Sequence, residues 1–487
     1  MSSIAHVWRR KVALLLLASF AGCATLDKVE HPNLSAQLAS EIERDLNTVN
    51  QDEALRIKFR GFLTIGPYSF EKYQYGEQGP RLIVSPDSVQ NINFHSVCFN
   101  HPVSAMTGSA AGRTTLAFEL FRHRLSDPVR PKLEALGAQL STFENDDAIC
   151  FRMTLENAKG FLSTIPAHLA SFSDLDLERG KQALRSALEK LSRPAPSIYE
   201  ILALHADGIR YSSVDGGTRY GIPQLTKKVS LLQRNREKEF TEVRDSYYPG
   251  HLVSVIVTSF SRSTILNQFR NTMRDRLEES HGLTQTSSSA LANLNNALNS
   301  GANSRDPVAS KKRLPRIKGL EEDFLLLSWT LPTQYHEDYI PLQIASKLLA
   351  QRWTMSKRLE IHTQVRRFGG RFDLLTEVPK TKTATHALAH VRQLISDISS
   401  HSQVDKEIKR IKNALKVKFW NQQANPIAML SQIERYELIH GDFEHLHDAE
   451  KNLSSVDRNQ VVRVLSEYLL LQTPIMVEMA GDSRQKE

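Results

Sequence analysis

The chain has 487 residues, of which 40% are hydrophobic and 24% are charged, and its net charge is +8. This is ordinary globular composition, and the length indicates two or three domains. The cations are scattered apart from Lys311, Lys312 and Arg313, so charge alone does not establish nucleic-acid binding. For an exported chain, acidic lipid head groups or acidic peptides are better partners, and no nucleic acid is expected.

The first 22 residues have the features of a secretory signal peptide. A basic cluster at residues 9–11 precedes a short apolar run over residues 12–18, and small residues follow. The run is too short to cross the ~30 Å hydrocarbon core as a helix. No other apolar stretch is long enough to span a membrane.

Residues 20–23 (FAGC) resemble a bacterial lipobox, in which the signal is cut before the cysteine and the cysteine is lipid-modified. By this resemblance Cys23 is the lipid attachment site and residues 23–40 form a tether. Ala24 favours the periplasmic side of the outer membrane over the inner membrane. The alternative is an ordinary signal peptide with a chance cysteine.

Two further cysteines, Cys98 and Cys150, remain after the signal. An even pair in an exported protein can form a disulfide. Two separate buried thiols are the other interpretation, because free cysteine behaves as a small hydrophobic residue.

A low-complexity stretch over residues 280–318, rich in Ser, Asn, Ala and Gly, is predicted to be a flexible linker. It separates an N-terminal domain, residues 41–279, from a C-terminal domain, residues 319–487. A short segment with alternating donors, residues 445–448, is predicted to be an exposed loop.

The two domains carry the same succession of predicted elements. Each has an apolar strand, a short helix, a long charged helix, a helix opened by proline, another amphipathic helix, and a final strand after a proline. The predicted pairs are strands 149–153 and 372–375, short helices 158–169 and 385–398, later helices 224–248 and 457–471, and last strands 252–257 and 475–479. Matching glycines and prolines recur at offsets of 232 (369 − 137), 230 (426 − 196) and 225 (474 − 249). This pattern predicts a tandem repeat of two α+β halves.

Two segments of the first half carry a family resemblance. Residues 114–121 (TTLAFELF), followed by residues 133–148 with a glycine turn, resemble the zinc helix and edge strand of the pitrilysin/insulinase peptidases. The resemblance covers most of the chain from Gly79 to Ala480. It implies two α/β-sandwich halves, each a mainly antiparallel sheet with helices on one face, arranged as a clam shell.

Active members of this family carry His-x-x-Glu-His on that helix, where both imidazoles reach one zinc ion and the glutamate activates a water molecule. Here the positions read Leu116, Glu119 and Leu120. Leucine has no lone pair to donate to a metal, and neither Glu178 nor Glu189 fits the third ligand. We therefore expect no zinc and no other cofactor, and we expect Glu119 to be a solvated or capped carboxylate.

In the second half, residues 365–372 resemble the family segment in which an arginine and a tyrosine face the substrate. The resemblance makes Arg366 and Phe372 candidate peptide contacts, although phenylalanine lacks the hydroxyl donor.

Some members of the family work as pairs in which one subunit lacks zinc. The sequence therefore predicts a non-catalytic lipoprotein that pairs with a zinc-bearing relative or binds peptides in the cell envelope. One alternative is an active metalloendopeptidase with an atypical zinc site, and another is a structural envelope scaffold.

Overall fold

The structure is a computed structural model in which most of the chain after residue 32 is described. The described residues are 33–50, 56–66, 68–76, 79–86, 93–100, 119, 130–144, 148–156, 160–168, 182–183, 185–186, 189, 197–210, 252–278, 311–314, 322–331, 337–364, 370–379 and 382–481. The predicted signal peptide, Cys23, Leu116, Leu120, Arg366 and the predicted helix at residues 224–248 lie outside them.

The first half forms a seven-stranded sheet with the order β1-β2-β3-β7-β4-β6-β5. Its pairs are antiparallel except β3 with β7. The strands are β1 (Ile57–Ile65), β2 (Tyr68–Tyr75), β3 (Arg81–Ser85), β4 (Asn93–Asn100), β5 (Gln139–Glu144), β6 (Ala148–Leu155) and β7 (Leu252–Val257). β7 lies in the middle of the sheet, and all six of its residues are buried, as its continuous apolar run LVSVIV requires.

The second half forms a five-stranded sheet with the order β10-β11-β9-β12-β8. Its strands are β8 (Lys311–Leu314), β9 (Asp323–Leu331), β10 (Leu359–Gln364), β11 (Gly370–Val378) and β12 (Ile475–Met479). This order repeats β5-β6-β4-β7-β3 of the first sheet, and the parallel pair recurs as β8 with β12. The predicted duplication is therefore confirmed strand by strand, and among the described strands the first half has the additional hairpin β1–β2.

Helices connect these strands in both halves. They are α1 (Ala36–Val49), α2 (Arg130–Ala135), α3 (Phe161–His168), α4 (Ile198–Arg210), α5 (Arg262–Glu278), α6 (Tyr339–Arg352), α7 (Ala384–Ser400), α8 (Val404–Ala424), α9 (Pro426–Arg435), α10 (His445–Ser455) and α11 (Arg458–Leu465). A π-helical turn extends α9 over Tyr436–His440, and a second one extends α11 over Ser466–Leu470.

Three segments have more structure than the sequence indicated. The end of the predicted linker is strand β8, because Leu314 is buried and residues 311–314 pair with β12. Helix α1 begins at Ala36, inside the predicted tether, and buries one apolar face in the core. The predicted loop at residues 445–448 is the first turn of α10, which buries Leu446 and Leu453.

One face of each sheet is covered by helices of its own half. In the first half, α1, α3 and α5 pack on the sheet with Phe161 and Phe269 at the centre of this core. In the second half, α6, α7, α8 and α11 do the same around Trp329 and Leu348. This agrees with the predicted sandwich of an antiparallel sheet and helices.

The other face of each sheet is covered by a segment from the opposite half. The segment 426–446, containing α9, the π-helical turn and the start of α10, buries its apolar residues against the first sheet. Helix α4 of the first half buries Leu202, Ala203 and Ala206 against the second sheet. The two halves are therefore interlocked by an exchange of the helices that follow Pro196 and Pro426.

Local sequence explains why the exchanged helices start where they do. In α9, Asn425 is the N-cap, its side chain accepts a hydrogen bond from the Ala428 amide, and Pro426 occupies the first turn. Before α4, the Ser197 hydroxyl accepts from the amide of Glu200 at 3.1 Å. Within the described part of the chain, no helix has both the length and the apolar character of a membrane span.

We expect neither half to fold alone, because separation exposes the second apolar face of its sheet. Residues 1–279 or 280–487 expressed singly should be insoluble or bind a hydrophobic dye strongly. Co-expression of the two fragments should yield a soluble 1:1 complex, measured by gel filtration. A soluble, cooperatively unfolding single fragment would contradict the interlock.

Candidate functional site

The helix that resembles the family's zinc helix contributes one described residue, Glu119. It is helical and fully buried, so of the two expected states, solvated or capped, the solvated carboxylate is wrong. A carboxylate is rarely buried without partners, which the protein must supply around it. Leu116 and Leu120 lie outside the described residues. Their side chains are purely hydrocarbon and have no atom that can bind a metal.

Strand β5, which follows this helix and the turn at Gly137, is the edge of the first sheet. It pairs only with β6 in the described sheet, with Phe143 opposite Cys150 and Ser141 opposite Arg152. Its residues Ser141, Thr142 and Phe143 are exposed, Phe143 by 40%. An edge strand offers a row of backbone N–H and C=O groups on its outer side that can accept one more strand.

A buried ion pair fixes the exchanged helix α9 beside this edge. Arg152 on β6 donates to the carboxylate of Glu434 on α9, with Nε 3.0 Å from Oε2. The Arg152 guanidinium also lies over the Phe143 ring, 5.2 Å from its centroid. Burial raises the pKa of Glu434, and the Arg152 charge acts in the opposite direction. The edge strand is thus connected to the helix from the other half through one arginine.

A second carboxylate of the exchanged segment, Glu437, lies three residues further on. It forms ion pairs with Arg81 on β3 and with Lys72 on β2, whose Nζ is 2.9 Å from Oε2. Lys72 also donates to the carbonyl of Gly441 at 2.7 Å. Burial raises the pKa of Glu437, and the two cations lower it. These contacts fix the register of the segment across the sheet.

The segment ends on the hairpin at the far edge of the first sheet. The Glu444 carboxylate accepts a hydrogen bond from the backbone N–H of Phe62 at 3.0 Å. This approach requires glycine at position 61, because a Cβ atom there would overlap the Glu444 carboxylate. The register of β1 against β2 shifts at this same point.

Cys98 and Cys150 are opposite each other on β4 and β6 and form a disulfide. Together with Glu434 they form the single group of three potential metal ligands in the described residues. This group does not fit zinc, because the two sulfurs are bonded to each other and Glu434 is paired with Arg152. Neither this group nor the leucines at positions 116 and 120 supplies the donor set of a zinc peptidase.

Polar residues also join the second sheet to the exchanged helix α4. We call the polar contacts between a sheet and the exchanged segment that covers it a seam. The Tyr199 hydroxyl donates to Asp373 at 2.9 Å, and Asp373 also accepts from Ser328 and pairs with Arg371 at 2.7 Å. The Tyr199 ring stacks on His362 of the edge strand β10, with centroids 3.8 Å apart. Burial raises the pKa of Tyr199, as does the negative charge of Asp373.

The candidate peptide contact Phe372 is in the core of the second half. Its side chain is fully buried and packs edge-to-face on Trp329 at 6.0 Å, so it cannot face a peptide. Successive strand residues point to opposite faces, and Phe372 points to the face that its own helices cover. The neighbouring Arg371 and Asp373 point to the face that α4 covers.

Sequence reasoning missed Arg152, Glu434, Glu437 and Tyr199. A signal was present for two of them, since Glu434 and Glu437 are carboxylates among the apolar residues of the helix predicted to open at Pro426. Their partners are 282 and 356 residues away in the chain, and no local pattern pairs them.

No protein-family model matches the chain, and no curated protein matches it. Among solved structures it is similar to a protease from Helicobacter pylori, with a TM-score of 0.63, 13% identity, and coverage of 87% of this chain and 99% of that one. It is similar to the inactive domain of a peptidase M16 from Pseudomonas fluorescens, with a TM-score of 0.63, 11% identity, and coverage of 85% and 97%. It is also similar to the periplasmic protease PqqL from Escherichia coli, with a TM-score of 0.63 and 10% identity, covering 92% of this chain and 51% of PqqL.

These similarities define the class of fold. The chain has the two-half, pitrilysin-like fold of the M16 peptidases, as the sequence resemblance predicted. It covers 99% of the Helicobacter pylori protease and spans about half the length of PqqL.

We predict that Glu437→Ala lowers the free energy of unfolding by about 3–5 kcal/mol, because it leaves Lys72 and Arg81 as buried, uncompensated charges. The matched control is Glu467→Ala, which removes a 45%-exposed carboxylate paired with Arg463 and should cost less than about 1 kcal/mol. Denaturant titration of both variants tests this. Equal losses of unfolding free energy in the two variants would show that the ion pairs of Glu437 contribute no more than the surface pair of Glu467.

We also predict that acidification lowers the stability of the folded chain through two histidines on the exchanged segments. Burial lowers the pKa of His205 on α4 to about 4, assisted by Lys312, and lowers that of His440 to about 4, assisted by His445 and Arg435 and opposed by Asp442. Between about pH 4 and 6.5 the unfolded chain binds more protons than the folded one. The contribution of the two neutral histidines to stability is therefore fully present above about pH 6.5 and is lost as the pH falls.

The melting temperature of the native chain should therefore fall more between about pH 7 and pH 5 than that of the His205→Gln/His440→Gln variant. His447→Gln, at an exposed position of α10, is the control and should behave like the native chain. Glu434 and Glu437 act in the opposite direction because their pKa values are raised, but they are common to all three proteins. Identical slopes for all three would contradict the prediction.

Proposed function

We propose that this protein is a non-catalytic, M16-like peptide-binding protein that works beside a zinc-bearing relative. The observation that carries the proposal is an M16 fold with an exposed edge strand after a helix that has lost both histidines. An extended peptide can add to β5 as a further strand without any metal chemistry. The side chains at this edge, including Phe143, would then contribute contacts of their own.

Pairing is supported by the lengths of the similar structures. The chain corresponds to about half of PqqL, which a second unit of the same size would complete. The likeness to an inactive M16 domain fits the leucines at positions 116 and 120. In this proposal the relative supplies zinc, and this chain supplies a wall of the peptide groove.

The proposed location is the periplasmic side of the outer membrane, with a lipid on Cys23. The lipobox-like residues 20–23 support it, as does the likeness to a periplasmic protease. Mass spectrometry of the mature N-terminus tests the lipid directly.

The decisive experiment is purification of the tagged chain from detergent-solubilised envelope. We expect a relative with an intact His-x-x-Glu-His motif to co-purify, and we expect elemental analysis of this chain alone to find no stoichiometric zinc. Stoichiometric zinc, with peptide cleavage that a chelator abolishes, would establish the active-peptidase alternative. A large stable assembly without peptide binding would favour the scaffold alternative.

Peptide docking has its own readout, independent of pairing. Tryptic peptides of β-casein should protect the amides of residues 139–144 from hydrogen exchange, and Phe143→Ala should weaken their binding by roughly tenfold. Leu471→Ala removes an apolar side chain that is 80% exposed in the other half and should leave binding unchanged. Protection elsewhere but not on β5 would exclude this edge as the docking strand.

A further inference from the structure

Three large apolar side chains stand exposed at the corner where α8 ends and α9 begins. Val417 is 52% exposed, Trp420 is 49% exposed and Ile427 is 50% exposed. Val417 and Trp420 are three residues apart and share one face of α8. Single exposed apolar residues need no explanation, but a group of them indicates an interaction surface.

The corner is fixed to the body of the protein, so the exposure of these side chains is not a consequence of a loose chain end. Below the exposed face, Leu415 packs on the core of the second half and Phe419 on the core of the first. Asn425 caps α9, and the Gln432 amide donates to Gln422 at 2.7 Å across the corner. The corner is therefore a preformed surface.

The stretch of chain that forms this corner carries charge of one sign. Residues 408–433 contain no aspartate or glutamate, and the acidic residues that follow begin with the buried Glu434. The cations in this stretch are Lys409, Arg410, Lys412, Lys416 and Lys418. Lys412 donates to the carbonyls of Ser454 and Val456 at 2.6 Å, whereas Lys416 and Lys418 flank Val417 directly.

We propose that the α8–α9 corner docks on an anionic phospholipid surface. Tryptophan favours the boundary between head groups and acyl chains, and the aliphatic side chains of Val417 and Ile427 can enter it. Lysine stems extend along apolar surface while their ammonium groups reach the phosphates. A protein partner fits less well, because lysine is depleted in protein–protein interfaces, whereas an anionic bilayer matches apolar residues on a stretch whose charged side chains are all cationic.

This contact is distinct from the lipid proposed on Cys23. An acyl chain and a basic apolar patch act together, because a single acyl chain gives only marginal and reversible membrane binding. The patch would also fix the orientation of the body on the bilayer, which an acyl chain on a tether cannot do. The proposal does not depend on the lipid, on peptide binding or on pairing.

Sedimentation with lipid vesicles tests the proposal on residues 24–487, which contain every described element but no lipid. The native sequence should bind equimolar phosphatidylglycerol/phosphatidylcholine vesicles, bind pure phosphatidylcholine at least tenfold more weakly, and lose affinity as salt is added. The Val417→Ser/Trp420→Ser/Ile427→Ser variant should lose binding by tenfold or more. Lys416→Gln/Lys418→Gln should weaken binding to the anionic vesicles by roughly thirtyfold, since each lysine contributes about 1 kcal/mol and about 1.4 kcal/mol corresponds to a factor of ten.

Matched controls separate the patch from general charge and apolarity. Lys357→Gln/Lys451→Gln makes the same change in net charge at two exposed lysines, one in the loop before β10 and one in α10, and Leu471→Ser removes an exposed apolar residue elsewhere. Both should bind like the native sequence. Trp420→Phe, with Trp329 and Trp353 retained, should abolish the vesicle-dependent change in fluorescence.

Three results would overturn the proposal. The first is native binding that does not distinguish anionic from neutral vesicles, and the second is equal binding by the native sequence and the triple variant. The third is a triple variant that still binds vesicles but no longer co-purifies with the zinc-bearing relative, which would make the corner a protein interface. Unchanged melting temperatures of the variants establish that each result reports on the surface.

Discussion

The exchange of helices between the two halves is the constraint on which this structure depends. Each sheet has two apolar faces, and the helices of its own half cover only one of them. The second face is buried by the segment 426–446 in one direction and by α4 in the other. Because apolar area removed from water is the main favourable term in folding, the two halves become one cooperative body despite the long low-complexity stretch between them.

Buried charges give this exchange its register. Apolar side chains alone would tolerate sliding of a helix across a sheet. Glu434 is neutralised only where it meets Arg152, and Glu437 only where it meets Lys72 and Arg81, so these ion pairs select one position of the segment. Removing one partner of such a pair costs more stability than replacing both partners with apolar residues, because the remaining buried charge is strongly destabilising. Tyr199 and Asp373 have the same role at the other seam. In both sheets the seam arginine, Arg152 or Arg371, is on the strand next to the edge strand.

The proposed loss of zinc binding is compatible with the fold, because metal chemistry and the fold depend on different residues. The family motif places imidazole nitrogens on one helix face, and by the resemblance leucines stand at those positions, 116 and 120, a change that removes no strand. The edge strand β5 remains exposed, and Arg152 connects it to the helix of the opposite half. The α8–α9 corner adjoins the exchanged segment, which begins at Pro426, so the proposed peptide edge and the proposed membrane surface both lie next to that segment.

The sequence by itself determined the duplication, the succession of the repeated helices and of two strands in each half, and the absence of a histidine zinc motif. These are properties of local patterns, since apolar periodicity, helix-opening prolines and a constant offset do not depend on the rest of the molecule. Tertiary structure alone decided that α4 and α9 cover each other's sheets, that Phe372 is in the core, that Glu119 is buried, and that residues 311–314 are a strand. Each of these depends on a partner hundreds of residues away or on which face of a strand is covered, and a one-dimensional pattern contains neither piece of information.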